Sequence, residues 1–142
     1  MKKLSVTVLA VAALSVFLIS ADSSTHGISS AFAAADKDLN AEILDVSYED
    51  ARKTILDHGW QPFENMKPDD LVFSSKDMYD KGYVEVDVCA PTGVMPCKFF
   101  FKNEDGGYLQ ILTQGEIPHV KSVDLIDAEA FKALNLEKEE DL

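Results

Sequence analysis

The two cysteines, and the turn residues between them, are the feature of this sequence with the clearest chemistry. Cys89 and Cys97 are the only cysteines in the 142 residues. Pro91, Gly93 and Pro96 lie between them and make the chain turn, which brings the two thiols together as a disulfide requires. We predict a structural disulfide, which closes a small ring and contributes roughly 2–3 kcal/mol on the chain-entropy view.

A redox or metal role for the same cysteines has weaker support. A dithiol enzyme normally has two residues between its cysteines, whereas seven lie here. A zinc site takes about four ligands. His58 and His119, the histidines of the chain after residue 35, have no metal-like spacing to the cysteines. We therefore expect no metal and no cofactor.

Glu85 and Asp87 are the most suggestive pair of carboxylates. The segment Tyr83–Cys89 alternates, with three valines on one side and these two acids on the other. Such alternation is typical of a half-buried strand, so we interpret Glu85 and Asp87 as its solvent side. A carboxylate pair can also serve a hydrolase, but 24 acidic residues follow residue 35, so pairs arise easily.

No set of catalytic residues stands out in the sequence. There is no Gly-x-Ser-x-Gly motif and no phosphate-binding loop, and both cysteines are expected to be oxidised. His58 is expected in the last turn of a helix, where the helix dipole favours a cation. We assign no catalytic residue.

A helix over residues 48–58 is the best-defined element. Ser47 can cap it, and Tyr48, Ala51 and Ile55 form an apolar stripe at helical spacing. Gly59 and Pro62 follow where the helix must end. Trp60 comes directly after the helix and is interpreted as part of the core.

The second half of the chain predicts an antiparallel meander. Two strands, Cys97–Lys102 and Tyr108–Thr113, flank a turn with the Asp-Gly signature. We add the strand ending at Cys89 before them, a fourth strand at His119–Leu125, and a short helix at 128–135 capped by Asp127. Leu71–Phe73 is predicted as a short strand and 74–81 as a loop or single helical turn. The fold class is α+β: three to four strands packed against one long and one short helix.

The first 35 residues have the pattern of a secretory signal. Lys2 and Lys3 precede an uncharged apolar run, Leu4–Ile19, and small residues typical of cleavage sites follow. We predict cleavage between about Ala21 and Asp36, preferably before Asp36. The alternative is an uncleaved anchor, although a comfortable span takes roughly 20 residues. The protein is expected to be periplasmic or secreted, with no stable membrane insertion after cleavage.

The remaining chain is long enough for one domain. We divide the sequence into a signal segment at 1–35, a polar lead-in at 36–46, a single domain at 47–136, and a solvated acidic tail at 137–142. Within the lead-in, residues 36–42 are expected to be loose. The whole chain has a formal charge of −12, and residues 36–142 have −13, because Lys2, Lys3 and Asp22 are left out. This charge argues against binding nucleic acid or anionic lipid.

Five short motifs, taken together, resemble those of other small proteins. They are Tyr48-x-Asp-Ala-Arg-Lys53, Gly59-Trp-x-Pro62, Cys97-x-Phe-x-Phe101, Gly107-x-Leu109 and Thr113-x-Gly115. The combination resembles small exported bacterial proteins of uncharacterised function, over roughly residues 47–115. The resemblance implies export and attaches no activity or site residue.

These observations favour a non-catalytic binding protein of the bacterial envelope, of inhibitor, immunity or accessory type. The expected partner is another protein, and the acidic charge favours a basic one. The expected contact surface joins the disulfide loop, with Pro91, Val94 and Met95, to the face of Glu85 and Asp87. The alternatives are a structural or assembly subunit of the envelope and a small hydrolase that uses acidic residues.

Overall fold

The computed structural model describes residues 38–140, with side chains described as far as residue 135. Residues 1–37 and 141–142 lie outside the described part, and with them the predicted signal segment and its cleavage sites. Within residues 38–140 the protein has mixed α and β structure, with a five-stranded antiparallel sheet, four helices and one disulfide. The predicted fold class is confirmed.

The first helical segment, α1, covers residues 38–43. Leu39 and Ile43 are four residues apart, so they share one helix face, and they are 1% and 0% exposed. The prediction that residues 36–42 are loose is therefore wrong for residues 38–42. The polar composition of this segment concealed the fact that two well-spaced aliphatic side chains are enough to bind a short helix to the core.

The second helix, α2 (Tyr48–Asp57), agrees with the prediction. The Ser47 hydroxyl accepts a hydrogen bond from the Asp50 amide at 3.3 Å, which caps the first turn. Tyr48, Ala51 and Ile55 are buried. His58 is the C-cap, and Gly59 follows with φ +87°, a conformation that favours glycine. Trp60 is partly buried and packs against the core.

The third helix, α3 (Phe73–Asp80), lies where the sequence predicted a short strand at 71–73 and a loop or single helical turn at 74–81. A short 3-10 turn, Pro68–Asp70, precedes it. The strand predicted at Leu71–Phe73 is wrong, because three apolar residues do not distinguish a strand from the start of a helix. Ser75, on the buried side of α3, is 3% exposed and accepts a hydrogen bond from the Cys89 amide at 2.8 Å.

The sheet is built around one central hairpin. Its strands are β1 (Gln61–Pro62), β2 (Val86–Cys89), β3 (Cys97–Lys102), β4 (Tyr108–Gln114) and β5 (His119–Ile126). β3 pairs with β4, and β4 pairs with β5. The other edge of β3 is shared, with β1 along one part and β2 along the other. This sharing explains why five strands occur where three to four were predicted.

The two faces of the sheet are covered differently. One face packs against α1, α2 and α3, and its core includes Phe99, Phe101, Leu109 and Ile111, all 0% exposed. The other face is covered by α4 (Ala128–Glu140). The Asp127 carboxylate caps α4 by accepting from the Ala130 amide at 2.7 Å.

Phe131, an aromatic side chain of α4, packs against the sheet. Phe131 stacks on Tyr108 with ring centroids 3.8 Å apart, and it meets Phe63 and Phe100 edge to face. The helix continues to Glu140, beyond the predicted end at 135, so the first part of the predicted tail is helical. Among residues 38–140, no helix is long and apolar enough to cross a membrane.

Candidate functional site

Glu85 and Asp87 do not lie on a solvent face. They are 0% and 2% exposed, whereas Val88 is 48% exposed. The predicted alternation fails because β2 begins only at Val86 and has an irregularity between Val86 and Val88. Such an irregularity interrupts the alternation of side chains, and Glu85, Val86 and Asp87 are all buried in succession. The expectation of an acidic contact face on this strand is therefore wrong.

Glu85 is held by two side chains of α2. Arg52 Nε donates to Glu85 Oε1 at 2.5 Å, and the second Arg52 nitrogen donates to Oε2 at 3.3 Å. The Tyr48 hydroxyl donates to Oε1 at 2.8 Å. Tyr83 completes the cluster, because the Arg52 guanidinium lies 5.7 Å from its ring centroid. Both carboxylate oxygens are thus engaged.

The pKa values of this cluster are shifted by burial and by the ion pair between Arg52 and Glu85. Burial raises the pKa of the Tyr48 hydroxyl well above its usual value, and the negative charge of Glu85 raises it further. The hydrogen bond to Glu85 raises the pKa of Arg52. Arg52 therefore stays charged and Tyr48 stays protonated at neutral pH. We interpret the cluster as a compensated buried ion pair that fixes α2 against the turn before β2.

Asp87 belongs to a second polar cluster. The Asn65 side-chain amide donates to Asp87 Oδ1 at 2.7 Å. Asn65 also exchanges hydrogen bonds of 3.4 Å with Asn135 of α4. The cluster links the loop before α3, the start of the sheet and the C-terminal helix. These hydrogen bonds hold the three elements together. Asp87 is 2% exposed, so a partner protein could not contact it.

The disulfide is present as predicted. Cys89 and Cys97 face each other across the β2–β3 pair, and they are 5% and 3% exposed. The loop that they close folds back on itself, since the Ala90 amide donates to Pro96 at 2.9 Å. Reactivity of the sulfur atoms is limited by this burial.

The three loop residues that were predicted to bind a partner lie at the surface. Pro91 is exposed, Val94 is 58% exposed, and Met95 is half-buried with φ +49°. The Val94 carbonyl accepts a hydrogen bond of 2.7 Å from the amide of Gly115, in the turn between β4 and β5. The disulfide loop and this turn are therefore joined into one surface.

A cleft of about 520 Å³ lies between the disulfide loop and the β4–β5 turn. We call it the loop cleft. On the turn side Ile117 is 71% exposed, which adds a second aliphatic side chain to that of Val94. Gly115 has φ +105°, and a Cβ atom there would lie 3.0 Å from the Ile117 carbonyl oxygen, so this turn requires glycine. The residues that line the loop cleft are Gly93, Val94, Met95, Gln114, Gly115, Glu116, Ile117, His119 and Lys121.

The ionisable side chains of the loop cleft come from the β4–β5 turn and from β5. His119 Nδ1 lies 2.9 Å from the Ile117 carbonyl oxygen, so a protonated Nδ1 donates to it. Lys121 Nζ donates to Asp45 at 2.5 Å, and this contact lowers the pKa of the Asp45 carboxyl. Glu116 is the one carboxylate of the lining. The cleft therefore combines aliphatic rims with both signs of charge.

Only half of this cleft was predicted from the sequence. Val94 and Met95 were identified as contact residues, whereas the turn around Ile117 was given no role. An apolar residue set between Glu116 and Pro118 in a turn was the available signal, since turns are usually polar. Nothing local to the sequence pointed to Arg52 as the partner of Glu85.

No metal centre is evident in the part of the chain that the structure describes: no three His, Cys, Asp or Glu side chains there are placed to hold an ion. The sequence matches no protein-family model, no curated protein and no solved structure. The loop cleft and the buried clusters are therefore interpreted from their own residues.

Proposed function

We propose that this chain is a small exported, non-catalytic binding protein of the bacterial envelope that acts by protein–protein contact. The observation that carries the proposal is the loop cleft, where Val94 and Ile117 are 58% and 71% exposed on two turns joined by a hydrogen bond. Exposed aliphatic side chains on a fixed backbone are typical of contact surfaces.

The physical advantage of such a surface is its preorganisation. The disulfide fixes one side of the cleft, and the 2.7 Å bond from Gly115 to Val94 fixes the other side to it. A partner that buries Val94 and Ile117 then orders few further side chains, so more of the contact energy remains as affinity. The charge of −13 on residues 36–142 speeds encounter with a basic partner.

Two alternatives have less support. A hydrolase based on Glu85 and Asp87 would need carboxylates within reach of substrate, but these two are buried and hydrogen-bonded to side chains. A structural subunit of the envelope would use large apolar faces. Phe100, one residue that could have formed such a face, is 3% exposed and packs against Phe131.

Capture with a matched control tests the proposal. The processed protein, purified after export with its disulfide intact, is immobilised and exposed to envelope and culture extracts at low and moderate salt. Parallel columns carry Val94→Ser with Ile117→Ser, and Leu134→Ser, which changes a side chain that is 44% exposed outside the cleft. We expect one protein to bind to the wild type and to the Leu134 variant and to be lost from the double variant.

Retention of the same proteins by all three columns would refute the loop cleft as the contact surface. The comparison of low and moderate salt tests separately whether the acidic charge attracts the partner. Binding that does not weaken as the salt concentration rises would exclude electrostatic steering. Export is tested by N-terminal sequencing of the processed protein, for which we expect a start between about Ala21 and Asp36.

A further inference from the structure

The turn between β3 and β4 holds the one Asp-Gly sequence of the chain, Asp105-Gly106. Every other aspartate is followed by a residue that has a side chain, and no asparagine is followed by glycine. Because glycine lacks a Cβ atom, other groups can approach its peptide nitrogen closely. Asp105 is therefore the aspartate whose carboxyl carbon is reached most easily by the nitrogen of the next residue.

The side chain of Asp105 is exposed at the surface of the turn. Within the described part of the chain, its carboxylate forms no hydrogen bond or ion pair. By contrast, Asp124 on β5 accepts a hydrogen bond from the Ser122 hydroxyl at 3.2 Å, and the Asp127 carboxylate caps α4. The Asp105 side chain can therefore turn towards the Gly106 nitrogen without losing such a contact.

The peptide nitrogen of Gly106 is only weakly engaged. It donates to the Asn103 carbonyl at 3.3 Å, which is longer than the usual range for such a bond. The base of the turn has shorter bonds: Asn103 N donates to the Gly107 carbonyl at 3.0 Å, and Gly107 N donates to Asn103 Oδ1 at 2.7 Å. Gly106 has φ +85°, and a Cβ atom there would meet nothing beyond its chain neighbours within 4 Å. The tip of the turn thus has room to move while its base stays paired.

We propose that Asp105 is a site of spontaneous isomerisation, where the chain is slowly converted from aspartate to isoaspartate. The Gly106 nitrogen attacks Asp105 Cγ, so an N–Cγ bond forms and a Cγ–O bond breaks. The departing hydroxyl takes the amide proton and leaves as water, and a five-membered succinimide ring remains.

Water then opens this ring at one of its two carbonyl carbons. Attack at Cγ breaks the new bond to nitrogen and restores aspartate. Attack at the main-chain carbonyl carbon of Asp105 breaks the original peptide bond, so the chain now runs through Cβ and Cγ and the product is isoaspartate. One water is lost and one is gained, so the mass is unchanged and water is the only co-reactant.

The product has one more atom in the main chain of the turn. The base of this turn, from Asn103 to Gly107, leads into the register in which Lys102 lies opposite Tyr108. A longer main chain strains that base, so we expect the isoaspartate form to unfold at a lower urea concentration than the fresh protein. The loop cleft lies at the other end of the same hairpin, next to Gln114, so the inference does not depend on the proposed function.

Tryptic digestion isolates this site from the other aspartates. Cleavage after Lys102 and Lys121 releases the peptide 103–121, in which Asp105 is the sole aspartate. The processed, disulfide-intact protein is incubated for several weeks near neutral pH, then reduced, digested and analysed by chromatography with mass spectrometry. We expect a second form of this peptide, of unchanged mass, to grow with time. Electron-transfer fragmentation, which breaks the Cα–Cβ bond of isoaspartate, identifies that form.

Two variants of Asp105 test the mechanism. Asp105→Glu keeps the charge but would need a six-membered ring, which forms far more slowly, so the second form of the peptide should be lost. Asp105→Asn forms the same succinimide with ammonia as the leaving group. Its peptide should therefore convert faster than the wild-type peptide, and with a change of mass.

The isolated wild-type peptide 103–121, incubated in parallel, shows the rate of isomerisation without the folded turn. A second form that appears in this peptide but not in the folded wild type would overturn the proposal, because the turn would then protect Asp105. Equal amounts of the second form in the wild type and in the Glu variant would overturn it too, as would an Asn variant that keeps its side-chain amide. An isoaspartate form that unfolds at the same urea concentration as the fresh protein would overturn the expected effect on the hairpin.

Discussion

Glu85 and Asp87 are two residues apart and equally buried, yet the protein stabilises them in different ways. Glu85 is bound by a guanidinium and a phenol of α2, whereas one of the groups that bind Asp87 is the neutral side-chain amide of Asn65. A buried carboxylate needs hydrogen bonds, and a full positive charge beside it stabilises its ionised form more than a dipole does. Removing one partner should therefore have unequal consequences for stability at the two positions.

The largest effect is expected for Arg52→Met. The substitution keeps the apolar part of the side chain but leaves Glu85 buried without its cation, which should lower the free energy of unfolding by about 3 kcal/mol. Lys53→Met in the same helix is the matched control. Lys53 pairs with Glu49 and Asp50 at the surface, where solvent screens such pairs, so its loss should change stability far less than the loss of Arg52. Urea unfolding measures both, and equal losses would contradict a compensated buried pair.

A smaller effect is expected for Tyr48→Phe. The ring stays stacked on Phe99, with centroids 3.8 Å apart, but the hydrogen bond to Glu85 is lost. A hydrogen bond to a charged group contributes about 1.5–3 kcal/mol, so the variant should lose roughly this amount. Combining it with Arg52→Met should cost less than the sum of the two, because both act on one carboxylate. Strict additivity in the double variant would show that the two groups act independently.

At the second carboxylate, Asn65→Ala should cost about 1–2 kcal/mol, because it removes one neutral donor from Asp87. Asn135→Ala should cost less than about 1 kcal/mol, since its bonds to Asn65 are long, at 3.4 Å. Thermal unfolding of both variants beside Arg52→Met checks the order. An Asn65 variant less stable than the Arg52 variant would reverse the comparison between the two carboxylates.

The proton of Tyr48 gives a test of the Glu85 cluster that depends on pH. Its effect on stability at neutral pH is the smallest of those expected. The pKa of Tyr48 is raised in the folded state, so the stability linked to its proton is fully present below about pH 10, the ordinary tyrosine value. Above that pH the unfolded chain loses the proton while the folded chain retains it, and stability falls. The Tyr48→Phe variant lacks this component. Unfolding free energies measured from pH 8 to 11 should therefore converge, and parallel curves would contradict the assignment.

Two elements of the fold could be predicted because patterns of neighbouring residues in the sequence determine them. α2 follows from its cap and stripe, and the β3–β4 hairpin follows from its phenylalanines and its Asp-Gly turn. α3 was missed because its stability comes from contacts distant in sequence, such as the bond between Ser75 and Cys89. Tertiary contacts of this kind override a weak local preference.

The residues of the candidate site also differ in how well the sequence predicts them. Val94 and Met95 were recognised because they lie in a loop between two cysteines, which is a local signal. Arg52 and Glu85 are 33 residues apart and meet only after folding. Period-two alternation indicates an exposed acid only when the strand is regular, and the irregularity between Val86 and Val88 removes that condition. No pattern in the sequence marks such a bulge in advance.

The disulfide has a consequence for survival among proteases. The exposed part of the loop, residues 91–94, is the kind of surface turn that proteases cut first. Because Cys89 and Cys97 lie on either side of it, a single cut there would leave the two fragments covalently joined. Each fragment would also remain hydrogen-bonded in the sheet, through β2 and β3. Without reduction, the mass of a nicked molecule would rise by one water in a mass spectrum, and the two fragments would separate only after reduction.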